Sequence, residues 1–285
     1  MYILPAWKSC SCIFMEVAAM ISGTLFKREI RANYILLIIF MGVLTMYSAM
    51  IVAMYGPGMG DGLKSMAESM PEIFAAAGML NVGTTLLEFV VGYLYGILLV
   101  AFPGVFIIIL ANRLVARYVD QGSMAYLLAT PNKRTKIAVT QALAMAAGIF
   151  VLIAYVAVLI IVVSQIMFPG ELDMGKFFLV NVALFGMHLF FGGVCFLASC
   201  LFNESRLSYG TGAGIVIASI LIQMISQVGD KFENLKYITP LTLFDPRGII
   251  AGDTGALVQC VILYAAGLVM IAAGIVIFKR KDMSI

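Results

Sequence analysis

Residues 138–164 read AVTQALAMAAGIFVLIAYVAVLIIVVS and contain no aspartate, glutamate, lysine or arginine. A helix needs about 20 mostly apolar residues to cross a hydrocarbon core about 30 Å thick. That core offers no water to unpaired backbone groups, so only structures that satisfy their own hydrogen bonds can cross it. An uncharged apolar run of this length therefore predicts a membrane-spanning helix.

Five further stretches share this character, and no charged side chain lies inside any of them. The chain is 62% hydrophobic and 12% charged, whereas a soluble domain has about 25% charged residues. This composition excludes a soluble enzyme, a nucleic-acid-binding protein and a secreted disulfide scaffold. We predict an all-α integral membrane protein with six spans, at residues 34–55, 89–111, 138–164, 177–201, 209–228 and 257–278.

The cations are distributed unevenly over the connections between these spans. One side of the predicted topology receives 13 of the 18 lysines and arginines, and the other receives 5. Short cytoplasmic connections are enriched in lysine and arginine. We therefore expect the connection 112–137 and both termini of this six-span chain to be cytoplasmic.

The N-terminal region is expected to divide into a tail, residues 1–19, and the start of the membrane domain, residues 20–285. Residues 21–33 place Phe26, Ile30 and Tyr34 on one helical face and cations on the others. This pattern is typical of a helix lying in the membrane interface. A solvated lead-in to the first span is the alternative.

The connection 112–137 has the most local structure of any connection. Gly122 interrupts the helix that continues from the second span, Ser123 can cap a short new helix at residues 124–129, and Pro131 ends it. In that helix Met124, Leu127 and Leu128 share one apolar face. Such an element suits docking of a cytoplasmic partner, and an amphipathic connector lying on lipid headgroups is the alternative.

Few side chains in the spans could carry chemistry. His188 is the single histidine and lies inside the fourth predicted span. We expect it to be a packing residue that bonds a polar side chain on another helix, such as Asn181, Gln223 or Gln227; a substrate contact is the alternative. Cys195, Cys200 and Cys260 fall within apolar runs, while Cys10 and Cys12 precede them. We predict no disulfide framework, metal site or cofactor.

Four segments resemble the membrane subunits of ATP-binding-cassette transporters of the ABC-2 (type-2 exporter) class. The most specific is DQGSMAYLLATPNKR, residues 120–134, which resembles a family stretch ending in Leu-Leu-x-x-Pro-x-x-Arg. FKREI at residues 26–30, PEIF at 71–74 and ITPLTLFDP at 238–246 resemble the family's basic lead-in and two external segments. The similarity covers the chain from about Met20 to the C-terminus.

The resemblance implies a permease subunit of an ATP-driven exporter. It implies a dimer of six-span halves, either a homodimer or a heterodimer, above separate ATPase subunits that bind ATP and Mg²⁺. It also implies that the short helix after the second span is a coupling helix that enters a groove on the ATPase. The expected coupling residues are Arg117, Asp120, Gly122, Met124, Leu127, Leu128, Pro131 and Arg134.

The expected location is a bacterial cell membrane, in contact with lipid and without nucleic acid. The chain itself is not expected to be an enzyme. An apolar or amphipathic substrate, such as a peptide, drug or lipid-like molecule, would move outward past His188 and Gln223. A self-contained passive facilitator or channel is the alternative function, and a membrane enzyme ranks third for lack of catalytic groups.

Overall fold

The computed structural model describes residues 21–56, 62, 65, 66, 68–77, 79, 85–124, 133–228 and 230–281. Six of its helices are long and apolar enough to cross a membrane, and the described residues include no strand. The six are α1 (Gly23–Ala53), α2 (Leu98–Asp120), α3 (Arg134–Met167), α4 (Met174–Leu201), α5 (Ser205–Ser226) and α6 (Thr254–Arg280). The prediction of an all-α, six-span membrane protein is confirmed.

Shorter elements connect the long helices at the end where α1 finishes. Helix Pro71–Ala76 has proline in its first turn, and Leu86–Val90 begins with a capping box between Thr85 and Glu88. Two 3₁₀ segments, Asp230–Ile238 and Pro240–Leu243, precede helix Pro246–Ala251. Asp245 caps that last helix by accepting hydrogen bonds from the backbone of Arg247 and Gly248.

The N-terminal residues 23–33 form the first turns of α1, so a separate interfacial helix is not seen. No proline or other breaker lies between these residues and the apolar run, and the helix continues without interruption. Leu25, Glu29 and Asn33 are buried at intervals of four residues, while Ile30 and Tyr34 are half exposed. The inward face at this end of α1 therefore carries polar side chains.

The second predicted span, residues 89–111, is not one continuous helix. Residues Leu86–Val90 are α-helical and Val91–Tyr95 form a π-helix, after which the helix breaks before Leu98. A side chain on Gly96 would come within 2.5 Å of the Ala77 carbonyl oxygen, so only glycine permits this close backbone approach. Sequence composition could not reveal the break because both pieces are apolar.

Helix α4 lies at the centre of the bundle. In its most apolar window 78% of residues are buried, against 17% for α1 and 22% for both α5 and α6. Its closest neighbour is α6: a side chain at Gly193 would come within 2.7 Å of the Gly267 carbonyl oxygen. Small residues let membrane helices approach in this way, since lipid gives no hydrophobic drive to helix pairing.

Candidate coupling segment and transport path

The segment after α2 begins with a sharp turn. Helix α2 contains a π-helical stretch, Asn112–Ala116, and ends at Asp120. Gly122 follows in the left-handed region with φ +65°, which favours glycine. The Ser123 hydroxyl donates to the Tyr118 carbonyl at 3.2 Å and closes the turn. The predicted break at Gly122 is confirmed.

The expected coupling residues divide into two groups. Leu127, Leu128 and Pro131 lie outside the described residues, as do the N-terminal residues up to Met20. The described members are Arg117, Asp120, Gly122, Met124 and Arg134. Met124 is 1% exposed and belongs to the hydrophobic core. Its side chain therefore fastens the start of the segment to the bundle and does not contribute a surface for a partner.

Six contacts join the long helices in pairs at the end that carries most of the cations, which we call the basic end. Two of them join side chains: Tyr118 Oη to Glu29 Oε1 (3.0 Å) and Ser208 Oγ to Ser199 Oγ (3.0 Å). Three join a side chain to a carbonyl: Asn112 Nδ2 to Ser205 (3.4 Å), Lys281 Nζ to Cys200 and Leu201 (3.1 and 2.8 Å), and Arg134 Nη1 to Lys281 (2.9 Å). The sixth joins the Ser22 amide to Thr140 Oγ1 (3.0 Å).

These contacts form a closed circuit through all six long helices, in the order α1, α2, α5, α4, α6, α3 and back to α1. We call it the basic-end ring. The candidate coupling segment, residues 121–133, follows α2 just after the ring residue Tyr118 and ends where the ring residue Arg134 begins α3. A force applied to that segment would therefore act on two members of the ring.

Lys281 is the residue through which α6 joins two neighbours. Its ammonium donates to the last carbonyls of α4, which have no partner within their own helix. Its backbone carbonyl accepts from Arg134 at the start of α3. Burial lowers the pKa of the Lys281 amine because the charged form loses hydration. The neighbouring Cys200 thiol acts in the opposite direction and raises this pKa.

A cavity of about 580 Å³ lies at the opposite end of the bundle. It is surrounded by the C-terminal end of α5, the break at Gly96 and the 3₁₀ segments. Its polar lining residues are Gln223, Gln227, Lys236, Thr242, Asp245, Arg247 and Gln259. The Oε1 atoms of Gln223 and Gln259 are buried without a hydrogen-bond partner. Gln223, one of the two predicted path residues, thus lines a cavity, whereas His188 does not.

His188 is fully buried and bonds its own helix. Its Nδ1 lies 2.8 Å from the Leu184 carbonyl one turn earlier, and its Nε2 is buried without a hydrogen-bond partner. The expected bond to a polar side chain of a neighbouring helix is not formed. Of the expected partners, Asn181 lies on α4 itself and accepts from Tyr95 instead. A histidine inside a helix can satisfy one ring nitrogen by bonding a carbonyl of the preceding turn, so that nitrogen needs no partner on a neighbouring helix.

Within the described part of the chain, no three His, Cys, Asp or Glu side chains come together as a metal site. Cys195, Cys200 and Cys260 are buried free thiols, while Cys10 and Cys12 lie outside the described residues. The cavity does not bring the two predicted path residues together, because Gln223 lines it and His188 does not.

A search of curated protein sequences returned no match. The sequence profile of the family described as ABC-2 family transporter protein matches residues 23–283. The match covers all six long helices, the segment between α2 and α3, and the residues that line the cavity at the opposite end. The chain therefore belongs to the ABC-2 family of transporter membrane proteins.

Proposed function

We propose that this chain is the permease half of an ATP-driven exporter in a bacterial cell membrane. A separate ATPase subunit would bind the cytoplasmic coupling segment, and a second copy of the permease would complete the transporter. The single observation that carries this proposal is the placement of the two flanks of the coupling segment. Tyr118 and Arg134 both belong to the basic-end ring, which would face a cytoplasmic ATPase if the basic end is cytoplasmic.

The orientation rests on charge. Thirteen of 18 cations belong to the basic end and its connections, including residues outside the described ranges. Lysine and arginine near span ends are retained in the cytoplasm during insertion. The basic-end ring and the coupling segment would then face the cytoplasm, where ATP is available.

The transmission step follows from the ring. A rigid circuit would move as a unit when the ATPase pulls or pushes the segment anchored by Met124. The cavity at the opposite end gives the outer part of the bundle space in which to rearrange. Movement applied at the cytoplasmic end could thus change the volume or opening of the outer cavity.

The substrate would leave through the outer cavity, with Gln223 among the residues that contact it. Amide side chains with free acceptor positions suit a substrate that carries hydrogen-bond donors, such as a peptide or an amphipathic drug. The apolar lining residues Val91 and Ile220 suit its hydrophobic parts.

The decisive experiment changes Leu127 and Leu128 together to Asp. A charge placed in an apolar interface costs several kcal/mol, so the variant should lose its ATPase in co-purification and lose transport. The thermal unfolding midpoint of the permease should stay near that of the parent protein.

The matched control changes Ile73 and Ile238 to Asp; both are about two-thirds exposed at the opposite end. This control should retain the ATPase. Normal transport and co-purification by the Leu127/Leu128 variant would reject the coupling role and favour a passive facilitator. A large fall in unfolding midpoint would instead place both leucines, like Met124, in the bundle core.

A further inference from the structure

Two adjoining cavities lie between α1, α2 and α3 at the basic end. One has a volume of about 280 Å³ and is lined mostly by polar side chains. The other has a volume of about 180 Å³ and is lined mostly by apolar ones. Glu29 and Asn33 line both cavities, so the two form one cleft with a polar and an apolar part.

The polar part carries charges of both signs. Arg113 and Arg117 line it from one helix, about one turn apart, and Glu29 lines it from α1. Neither arginine forms an ion pair or a hydrogen bond with another described residue, whereas the Glu29 carboxylate accepts from Tyr118 at 3.0 Å. The two guanidinium groups are thus available for an anion, next to a carboxylate held in a fixed position.

The apolar part opens toward lipid. Leu37, Phe106, Leu110 and Leu114 form its inner wall, and Tyr34 lies at its edge. Tyr34 is 49% exposed, and only 17% of the residues in the most apolar window of α1 are buried, so most of this helix is accessible to a surrounding bilayer. A hydrocarbon chain can therefore enter the groove from the surrounding bilayer without crossing a polar surface.

We propose that this cleft binds one phospholipid with a primary ammonium headgroup, from the membrane leaflet at the basic end. Guanidinium groups bind phosphate oxygens in pairs of parallel hydrogen bonds. The phosphate lies against Arg113 and Arg117, the ammonium group lies against Glu29, and one acyl chain occupies the apolar groove.

The charge arrangement distinguishes this lipid from others. A purely anionic headgroup would bring a second negative charge near Glu29, and a choline headgroup cannot donate a hydrogen bond to the carboxylate. A phosphate joined to a primary amine complements both signs. Basic pockets between spans at the cytoplasmic side of membrane proteins are known to hold lipid headgroups. The proposal does not depend on the proposed transport function.

The test is native mass spectrometry of the full chain in detergent, titrated with phosphatidylethanolamine, phosphatidylglycerol or phosphatidylcholine of identical acyl chains. The parent protein should retain one phosphatidylethanolamine, more tightly than either other lipid. The double variant Arg113→Gln/Arg117→Gln should bind it about tenfold more weakly, because the phosphate loses both charged donors. The matched control Arg206→Gln/Arg280→Gln removes two exposed arginines from the same end and should bind normally.

Two further variants separate the headgroup from the acyl chain. Glu29→Gln keeps an acceptor for Tyr118 but removes the charge, so it should reduce the preference for phosphatidylethanolamine over phosphatidylcholine. Ala147→Phe fills the apolar groove and should weaken binding of all three lipids, whereas Leu143→Phe, one turn away and outside the groove, should not. Soluble glycerophosphoethanolamine, which lacks acyl chains, should not compete.

Several outcomes would overturn the proposal. Equal retention of the three lipids, unaffected by the arginine and alanine substitutions, would mean that only non-specific annular lipid is bound. Tighter binding of phosphatidylglycerol would reject the role of Glu29. Competition by glycerophosphoethanolamine at equal concentration would reject the apolar groove as part of the site.

Discussion

The two ends of the bundle are built differently. At the basic end, six contacts join the long helices into a closed ring, and several of them involve residues at helix ends. At the opposite end, a cavity of about 580 Å³ holds amide oxygens that have no partner. The comparison indicates that side-chain hydrogen bonds close a circuit through the helices at the basic end, whereas at the opposite end they leave amide oxygens without a partner around a cavity.

The reason lies in where carbonyl groups are exposed. The last carbonyls of a helix lack donor partners within that helix, and near hydrocarbon an unsatisfied carbonyl is costly. Lys281 and Arg134 satisfy such groups at the ends of α4 and α6 while joining neighbouring helices. The ring therefore caps helices and connects them with the same contacts.

The largest expected effect concerns which end faces the cytoplasm. In a background without native cysteines, Lys133→Cys should be protected from an impermeant thiol reagent in intact cells, and Tyr237→Cys should react. Both positions are exposed at opposite ends of the structure. Gel-shift labelling is an all-or-none measurement, and the reverse pattern would place the ring outside and reject ATPase coupling at this segment.

The next effect tests the ring itself. Arg134→Met/Lys281→Met removes both links of α6 and should lower the free energy of unfolding by about 2–3 kcal/mol, since charged hydrogen bonds of half-exposed groups are partly screened. Lys279→Met/Arg280→Met removes the same charge from exposed positions and should change stability by less than about 0.5 kcal/mol. Denaturant unfolding in mild detergent measures both. Equal effects would show that charge alone, and not the ring, matters.

A smaller effect is expected for the link between α1 and α2. Tyr118→Phe removes the donor to the buried Glu29 carboxylate and should cost about 1–2 kcal/mol. Tyr34→Phe removes a half-exposed hydroxyl from the same helix as Glu29 and serves as its control. In thermal unfolding, the Tyr118→Phe variant should have a lower unfolding midpoint than the Tyr34→Phe variant. Identical midpoints would mean that this link adds nothing to the ring.

The smallest stability effect is expected at the cavity opposite the basic end. Gln223→Leu/Gln259→Leu replaces two amides whose Oε1 atoms are unpartnered, so the free energy of unfolding should change by less than about 0.5 kcal/mol. Transport should fall if the substrate bonds these amides. A large loss of stability would show that the outer end also depends on its polar side chains, and the contrast between the ends would disappear.

The sequence predicts the spans better than their interactions. Charge-free apolar runs locate all six helices, because the bilayer imposes a length and excludes charge. The sequence does not reveal that Glu29 faces inward, because its neighbours Lys27, Arg28 and Arg31 suggest a solvated face. A spacing of four residues between Leu25, Glu29 and Asn33 is the one signal that could have shown it.

The ring could not be predicted, for a physical reason. Four of its contacts use a backbone group, and a carbonyl or amide has no sequence signature. The break at Gly96 is hidden in the same way, because its cause is the carbonyl of Ala77 in a distant segment. In the candidate coupling segment, the turn at Gly122 could be predicted because glycine favours turns. The inward packing of Met124 could not be predicted, because it depends on contacts with other helices of the bundle.

A closed circuit has a property that a simple chain of contacts lacks. Loss of any one link leaves all six helices still connected, so single substitutions in the ring should be well tolerated during evolution. Loss of two links divides the helices into separate groups. Removing the α1–α2 and α3–α6 links together would leave α1 and α3 as one group and the other four as another. Paired changes should therefore be more damaging than the sum of the single ones, and natural sequences should rarely lose two links without gaining a replacement.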